Sequence, residues 1–216
     1  MKLLLTSAGI SNKSIEDALQ SLSEKPLKEM KAAFIPTAAN WEDGEKSWMI
    51  KDLVYCNEKF SETDIVDISA LPRKKWEPRL RNADLIMVEG GNTSHLMRSI
   101  EESGLENLLA EILKNKVYVG VSAGSIVMTP DLLLEESEVL YGENPEGWTE
   151  SEGLSVIDFC VIPHYNAEYF PNINDENLEE ISKTIKHSIY ALDDNSAVKV
   201  VDGEVEVISE GEWRKF

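Results

Sequence analysis

The sequence predicts an α/β fold built on a mostly parallel sheet that helices cover on both faces. Three observations lead to this prediction. Short apolar runs typical of buried strands alternate along the chain with segments of helical periodicity. Some of these runs end in glycine-containing turns, as strands do where they lead into helices. Near the C-terminus, runs 196–201 and 204–208 flank Asp202-Gly203, which predicts an antiparallel hairpin at the sheet edge.

Six further apolar runs are predicted to be strands, and five segments are predicted to be helices. The strands are residues 2–7, 32–35, 65–68, 85–88, 117–121 and 156–162. The helices are residues 14–22, 48–60, 93–100, 105–113 and 178–189. Residues 130–153 are acidic and irregular, and are predicted to form a loop or flap over one end of the sheet. The length suits a single domain covering residues 1–216.

The charge balance excludes several classes of partner. The chain has 21 Lys and Arg against 40 Asp and Glu, a formal net charge of −19. This charge repels nucleic-acid phosphates and anionic lipid, so we expect neither nucleic acid nor a membrane as partner. No signal peptide and no membrane-spanning run of about 20 apolar residues is recognised, so we expect a cytoplasmic protein.

The cysteines point to no covalent framework and no metal centre. Cys56 and Cys160 are the two cysteines of the chain, and each stands among apolar residues. They are too few for a disulfide framework or a four-cysteine zinc site. We therefore expect two buried free thiols, no metal and no cofactor.

Gly120-Val121-Ser122-Ala123-Gly124 fits the G-x-S-x-G pattern of a nucleophile elbow. Such a turn strains the serine backbone and exposes Oγ at the carboxyl end of a sheet. The helix that follows offers free N–H groups to an oxyanion. On pattern alone, a tight turn without chemistry is an equally good interpretation. The apolar run before the motif and the helix-like segment after it favour Ser122 as a nucleophile.

A serine nucleophile needs a base, and the chain has three histidines. His164 follows an apolar run and Pro163, which places it at a strand end, where open α/β sheets hold their ligands. His187 falls opposite the apolar stripe of predicted helix 178–189 and is expected to face solvent. His95 begins a helix, where local packing is the simpler interpretation. We predict His164 as the base; the alternative is a structural histidine at that strand end.

The turn EGGNT at residues 89–93 ends another predicted strand. Its simplest interpretation is a glycine turn that leads into a helix capped by one of its polar residues. Glycines also let a backbone N–H approach a reacting carbonyl closely. Gly90 or Gly91 could therefore supply one N–H of an oxyanion hole, with the N–H of Ala123 as the second.

The segments EGGNT, GVSAGS, IPHYN and LDDNSA, in this order and spacing, resemble the peptidase E group of serine peptidases, which includes aspartyl dipeptidase and cyanophycinase. The resemblance spans most of the chain. It implies a fold similar to the class I glutamine amidotransferases, a three-layer α/β/α sandwich. It also implies Ser122 as nucleophile, His164 as base, and Gly91 with Ala123 as oxyanion donors. We expect a short peptide as substrate, and a monomer or homodimer.

The resemblance gives two candidates for the acid that orients the histidine. Asp194, in LDDNSA, matches the position of a family glutamate proposed for this role. A second family proposal uses an aspartate a little after the nucleophile, where this chain has acids at residues 135, 136 and 138. Asp194 is therefore the first candidate and Glu136 the second. A polar turn before the hairpin is the simpler interpretation of residues 193–195.

The segment after the predicted base departs from the family in one respect. Aspartyl dipeptidases of the family use an arginine there to bind the aspartate side chain of the substrate. Residues 166–181 contain no arginine, and the next basic residue is Lys183, which lacks the guanidinium fork. Tyr165, Tyr169 and Phe170 are present instead. We therefore expect a peptidase that is not strictly Asp-specific and accepts apolar or uncharged polar side chains.

Two other hypotheses belong to different functional classes. A non-catalytic member of the same fold would bind a ligand or a partner, and the presence of both a nucleophile and a base candidate argues against it. A glutaminase of the amidotransferase type would carry a cysteine where this chain has Ser122. The sequence therefore favours a serine exopeptidase.

Overall fold

The computed structural model describes residues 1–142 and 151–216. Its elements alternate along the chain much as the apolar runs do. The strands are β1 (Lys2–Thr6), β2 (Lys31–Ile35), β3 (Glu62–Ile65), β4 (Leu85–Val88), β5 (Val117–Val121), β6 (Cys160–Ile162), β7 (Ile189–Leu192), β8 (Ser196–Val201), β9 (Glu204–Ser209) and β10 (Trp213–Lys215). The helices are α1 (Lys13–Leu22), α2 (Thr37–Trp41), α3 (Ser47–Lys59), α4 (Arg73–Asn82), α5 (Thr93–Ser103), α6 (Glu106–Ile112), α7 (Ala123–Ile126), α8 (Leu134–Tyr141) and α9 (Asp175–Ser182).

Seven strands form the main sheet in the order β3-β2-β4-β5-β1-β8-β9. The first five are parallel, whereas β8 runs antiparallel to β1 and β9 antiparallel to β8. Strands β4 and β5 consist entirely of buried residues, as expected for parallel strands that helices cover on both faces. The hairpin β8–β9 confirms the turn predicted at Asp202-Gly203.

The apolar core lies in a layer on each face of the main sheet. Side chains alternate along a strand, so neighbouring residues of β1 enter different layers. Leu3 and Leu5 belong to the layer that contains Leu96 of α5, whereas Leu4 belongs to the layer that contains Leu19 of α1. Helices on both faces of a mostly parallel sheet confirm the predicted three-layer α/β/α sandwich.

A second, smaller sheet has the order β10-β7-β6, with β7 parallel to β6 and antiparallel to β10. The predicted helix 178–189 is wrong over its second half, because α9 ends at Ser182 and Ile189 begins β7. Ile189 extends the helical spacing of apolar residues, but its pairing with Cys160 places it in a strand. His187 lies between these elements, not on a helix, and its Nδ1 is 3.1 Å from the carbonyl oxygen of Asp158.

Two predicted strands have different bounds. Only Ile65 of the run 65–68 belongs to β3, because residues 62–65 are the ones that pair with β2. The run 156–162 is a strand only over its last three residues. Its earlier part bonds to the turn after α7, where the amides of Val156 and Ile157 both donate to the carbonyl oxygen of Met128.

The predicted loop or flap 130–153 is partly wrong. Helix α8 lies within it and buries Leu134, Ser137 and Leu140. Asp131 forms an isolated antiparallel bridge with Glu152. Residues 143–150 of the predicted flap lie outside the described residues.

The parallel strands of the main sheet end at one edge, and the segments singled out in the sequence meet there. Strands β1, β4 and β5 lie side by side and end at Thr6, Val88 and Val121. The smaller sheet joins this edge after β6, where the N–H of His164 donates to Oγ of Ser7 at 2.8 Å. In the part of the chain that the structure describes, no helix has the length and apolar composition of a membrane span.

Candidate active site

Ser122 occupies the sharp turn between β5 and α7, with φ 47° and ψ −109°. Few L residues adopt such angles, and close packing holds them here. The amides of Ser125 and Ile126 donate to the carbonyl oxygen of Ser122 at 2.8 and 3.0 Å. The turn needs glycine on both sides: a Cβ at Gly120 or Gly124 would lie 2.5 or 2.1 Å from a backbone carbonyl oxygen. The sequence thus builds a tight turn that places Ser122 in the wall of a cavity.

His164 follows β6 and lies beside Ser122. Its φ of 64° is in the left-handed region, and the hydrogen bond from its N–H to Ser7 fixes this turn. The imidazole Nε2 is 2.9 Å from Oγ of Ser122. The side chain of His164 is 12% exposed, so the ring faces the cavity while most of its surface is packed.

Asp194 follows β7 and lies on the far side of the imidazole. Its Oδ1 is 2.7 Å from Nδ1 of His164 and accepts a hydrogen bond from Oγ of Ser7 at 3.0 Å. The hydroxyl of Tyr169 donates to Oδ2. A carboxylate at Nδ1 selects the tautomer that carries its proton on Nδ1. The lone pair of Nε2 then faces Ser122.

The hydrogen bonds keep Asp194 ionised in a partly buried position. Burial by itself raises the pKa of its carboxyl, but the hydrogen bonds from His164, Tyr169 and Ser7 outweigh burial and hold the pKa below its ordinary value. Phe170 packs on the imidazole with ring centroids 5.3 Å apart. The carboxylate therefore stays charged at neutral pH, as an orienting acid must.

The two predicted oxyanion turns flank Ser122. The N–H of Ala123 opens α7 and so has no acceptor within that helix. Gly91 has φ 121°, and a Cβ there would lie 2.5 Å from the backbone of Ala38, so only glycine fits. The N–H of Gly90 donates to its neighbour's carboxylate, Oε1 of Glu89, at 3.0 Å. Gly90 therefore contributes close packing against Ser122, and Gly91 and Ala123 are the amides that could meet an oxyanion.

The site opens into a cavity of about 860 Å³. Its walls combine aromatic rings with charged side chains, and Ser122, His164 and Asp194 all line it. Pockets of about 300–1,000 Å³ hold small molecules.

Residues 3–208 match the model of Peptidase family S51. The chain belongs to this family. The match includes every strand end that carries a residue of the site, and the predicted resemblance to peptidase E is confirmed. This S51 protein is a serine-type peptidase.

Relatives of this S51 peptidase carry peptidase names. An uncharacterized peptidase of Listeria innocua is 33% identical over 127 residues, which are 58% of this chain and 59% of that protein. An uncharacterized peptidase of Listeria monocytogenes is 28% identical over 188 residues, 84% of this chain and 87% of that protein. Peptidase E of a Nostoc species is 27% identical over 135 residues, 60% of this chain and 54% of that protein. The chain thus spans about three fifths of the first relative and about half of the third.

Two solved structures share the fold. The crystal structure of a candidate peptidase E from Listeria monocytogenes has a TM-score of 0.81 at 24% identity, over 97% of this chain and 98% of that one. A peptidase from an acI-B1 actinobacterium has a TM-score of 0.67 at 19% identity, over 100% of this chain and 93% of that one.

Glu136 and the other two histidines lie apart from this arrangement. Glu136 is on α8, and burial together with repulsion from Asp131 and Glu135 raises its pKa. Among the described residues, the hydrogen-bond partners of the His164 ring are Ser7, Ser122, Tyr169 and Asp194. The structure therefore does not bring Glu136 to the imidazole. His95 stacks on Trp41 with ring centroids 4.2 Å apart, and His187 lies in the connection before β7.

Three further residues of the site were missed from the sequence: Ser7, Asp52 and Glu89. For each of them, the sequence contains a feature that could have pointed to the residue. Ser7 follows an apolar strand, and open α/β sheets bind their ligands at the carboxyl ends of their strands. Asp52 interrupts the apolar face of helix 48–60, between Met49 and Cys56 at helical spacing. Glu89 is an acid placed directly after a fully apolar strand. A buried acid is rare enough to deserve a functional explanation.

Proposed function

We propose that this S51 peptidase is a serine exopeptidase that hydrolyses peptide bonds of short peptides. Ser122 is the nucleophile, His164 the general base and Asp194 the orienting acid. The observation that carries the proposal is the run of hydrogen bonds from Oγ of Ser122 to Nε2 of His164 at 2.9 Å, and from Nδ1 to Asp194 at 2.7 Å. A base within this reach of a serine hydroxyl, itself held by an acid, is the arrangement that nucleophilic catalysis requires.

The geometry supports an acyl-transfer sequence. Oγ of Ser122 attacks the scissile carbonyl carbon while Nε2 of His164 takes its proton, and the carbonyl oxygen becomes an oxyanion that the amides of Gly91 and Ala123 stabilise. The imidazolium, stabilised by Asp194, then gives its proton to the departing amine as the C–N bond breaks. Water attacks the acyl ester in the same way, with His164 again taking and returning a proton.

The same cavity supports a substrate that is not strictly an aspartyl peptide. Residues 166–181 contain no arginine, and Lys183 forms a surface ion pair with Glu180. Among the residues that the structure describes, the lysines lining the cavity are Lys46 and Lys51. Nζ of Lys46 already donates to two backbone carbonyls. An aspartate side chain would thus lose its hydration without gaining a bidentate partner.

Labelling with a fluorophosphonate tests the nucleophile. The wild-type protein should gain one phosphonyl group by intact mass, located on the peptide containing Ser122, and should lose hydrolysis of Ala-Leu and Leu-Leu in parallel. Ser122→Ala should take up no label, whereas the matched control Ser21→Ala, on the outer surface of α1, should label like wild type. A wild-type protein that takes up no label and hydrolyses none of a dipeptide library would instead support the non-catalytic binding protein.

A further inference from the structure

Two carboxylates lie buried at the wall of the cavity beside the proposed nucleophile. Glu89 is 0% exposed and Asp52 is 6% exposed, and both line the cavity. Oε1 of Glu89 accepts the N–H of Gly90, but Oε2 is buried with no hydrogen-bond partner. An unsatisfied buried carboxylate oxygen is costly, so its persistence points to a partner that enters from the cavity.

The position of this pair relates it to the scissile bond. Glu89 directly precedes Gly90, where a Cβ would lie 3.1 Å from Cβ of Ser122. Asp52 is a residue of α3, and its carboxylate packs so closely on Gly9 that a Cβ there would lie 2.5 Å from Oδ1. Close backbone packing therefore constrains both side chains, and the residue that follows Glu89 packs directly against the nucleophile.

The surroundings of the pair suit a positive charge. Burial raises the pKa of Asp52 to about 7, and burial together with repulsion from Asp52 raises the pKa of Glu89 well above its ordinary value. The charged and titratable groups that face them are Lys51 on the exposed side of α3 and the thiol of Cys56. Among the described residues, six carboxylates and two lysines line the cavity: Glu42, Asp43, Glu45, Asp52, Glu89, Asp194, Lys46 and Lys51.

We propose that Glu89 and Asp52 form a cation subsite that binds the positively charged group of the substrate residue whose carbonyl Ser122 attacks. The inference rests on the proposed peptidase function and specifies its substrate: a peptide with an ammonium or guanidinium group on that residue. The group is either the α-amine of an N-terminal residue or a basic side chain. It would donate to Oε2 of Glu89 and hold both carboxylates in their ionised form.

An organic cation fits the site better than a metal ion. In the part of the chain described, no cluster of three or more His, Cys, Asp or Glu side chains is arranged to hold a metal, whereas hard divalent cations take six or more oxygen ligands. An ammonium needs few acceptors and brings an alkyl stem. The cavity offers that stem the rings of Trp41 and Trp48, which also attract cations.

The subsite can be tested by binding alone. Isothermal titration calorimetry on Ser122→Ala would compare Ala-Leu, N-acetyl-Ala-Leu, Lys-Leu and N-acetyl-Lys-Leu. We expect N-acetyl-Ala-Leu, which has no cation on its first residue, to bind at least about tenfold more weakly than Lys-Leu, the usual effect of losing a charge-assisted hydrogen bond. Binding of a cationic peptide should also release protons, seen as a dependence of the measured enthalpy on buffer.

A comparison of Ala-Leu with N-acetyl-Lys-Leu identifies which cationic group the subsite binds. Tight binding of Ala-Leu with weak binding of N-acetyl-Lys-Leu would support the subsite with the α-amine as its ligand. The reverse would support it with a basic side chain. Equal affinity of all four peptides, including failure of all four to bind, would overturn the subsite.

Matched variants separate the pair from the general charge of the cavity. In the Ser122→Ala background, Glu89→Gln and Asp52→Asn should each abolish the preference for cationic peptides and leave N-acetyl-Ala-Leu affinity within about threefold, a change of under 1 kcal/mol. Either variant suffices if the other does not fold. Glu45→Gln, an exposed acid of the same cavity, should keep the preference, and its loss there would overturn the proposal. If this pattern holds but the wild-type protein takes up no fluorophosphonate, the subsite stands and the peptidase proposal fails.

Discussion

The buried carboxylates should make the protein less stable as pH rises, and Asp52→Asn should remove part of that effect. The folded protein holds the Asp52 proton up to about pH 7, whereas the ordinary value of this carboxyl is 3.8. A group whose folded pKa is raised stabilises the protein below its unfolded pKa, and that stability is lost as pH rises toward the folded pKa. The free energy of unfolding should therefore fall as pH rises from about 4 to about 7.

The magnitude follows from the two pKa values. Between pH 5 and 8, Asp52 alone should lower the free energy of unfolding by about 2.5 kcal/mol, at about 1.36 kcal/mol per pH unit of difference in proton binding. Glu89 adds to the decrease in the same direction. Asparagine does not titrate, so Asp52→Asn should gain about this much relative to wild type as pH rises.

Urea unfolding at several pH values between 5 and 8 measures this difference, provided that the m-value stays constant. Glu45→Gln is the matched control, because that carboxylate is exposed and its pKa is lowered, so it does not titrate in this range. Parallel curves for wild type and Asp52→Asn would refute the reasoning. So would a variant that loses stability relative to wild type as pH rises.

Three further predictions concern the catalytic turn and its partners. Asp194→Asn should lower kcat by about 10³–10⁴-fold, the scale seen when the orienting acid of a triad is made an amide, whereas Glu136→Gln should leave it nearly unchanged; steady-state kinetics giving the opposite ranking would transfer the role to Glu136. Ser122→Ala and His164→Ala should each abolish turnover without unfolding the protein, and the double variant should be little worse than either single one. If the two single losses in kcat multiplied in the double variant, the two residues would not act in the same catalytic step. Gly124→Ala would place a Cβ 2.1 Å from a carbonyl oxygen and should cost roughly 1–3 kcal/mol as overpacking does; thermal unfolding with an unchanged Tm would show that the turn can relax.

The main sheet could be predicted because its strands carry their own signals. Strands β4 and β5 are buried on both faces and read as uninterrupted apolar runs. The hairpin β8–β9 is marked by Asp202-Gly203, whose residues both take positive φ. In these elements the local pattern and the tertiary environment demand the same structure.

The elements that were missed depend on contacts that a local pattern does not show. Helix α4 is strongly polar, contains Pro78, and buries only Trp76 and Leu80 among its residues. Strand β7 becomes a strand because β6 and β10 pair with it on both sides. Its first residue, Ile189, has the spacing of a helical stripe, so the period alone predicts the wrong structure.

The residues of the site differ in the same way: some lie in a local motif, and others are brought to the site only by the fold. Ser122 and His164 stand out because each belongs to a short motif at a strand end, and Asp194 was reached through the resemblance. Nothing local brings Asp52 to Glu89, because one is on a helix and the other follows a strand, and the fold alone joins them. The sequence around each residue indicates a buried acid, but only the structure shows that both acids line the same cavity.

A role of this pair in binding a substrate cation is consistent with the energetics of the two carboxylates. Ionising Asp52 and Glu89 at the cavity wall is opposed by burial and by their mutual repulsion, so the folded protein holds their protons to higher pH than the unfolded chain does and loses stability as pH rises toward neutral. A substrate cation between them relieves both effects, and part of the free energy stored in the empty site then contributes to binding. An aspartate side chain would increase the repulsion instead. The buried carboxylates that lower stability as pH rises are thus the same groups that select the charge of the substrate. Replacing Asp52 with Asn should therefore increase stability at neutral pH and abolish the preference for a cationic substrate.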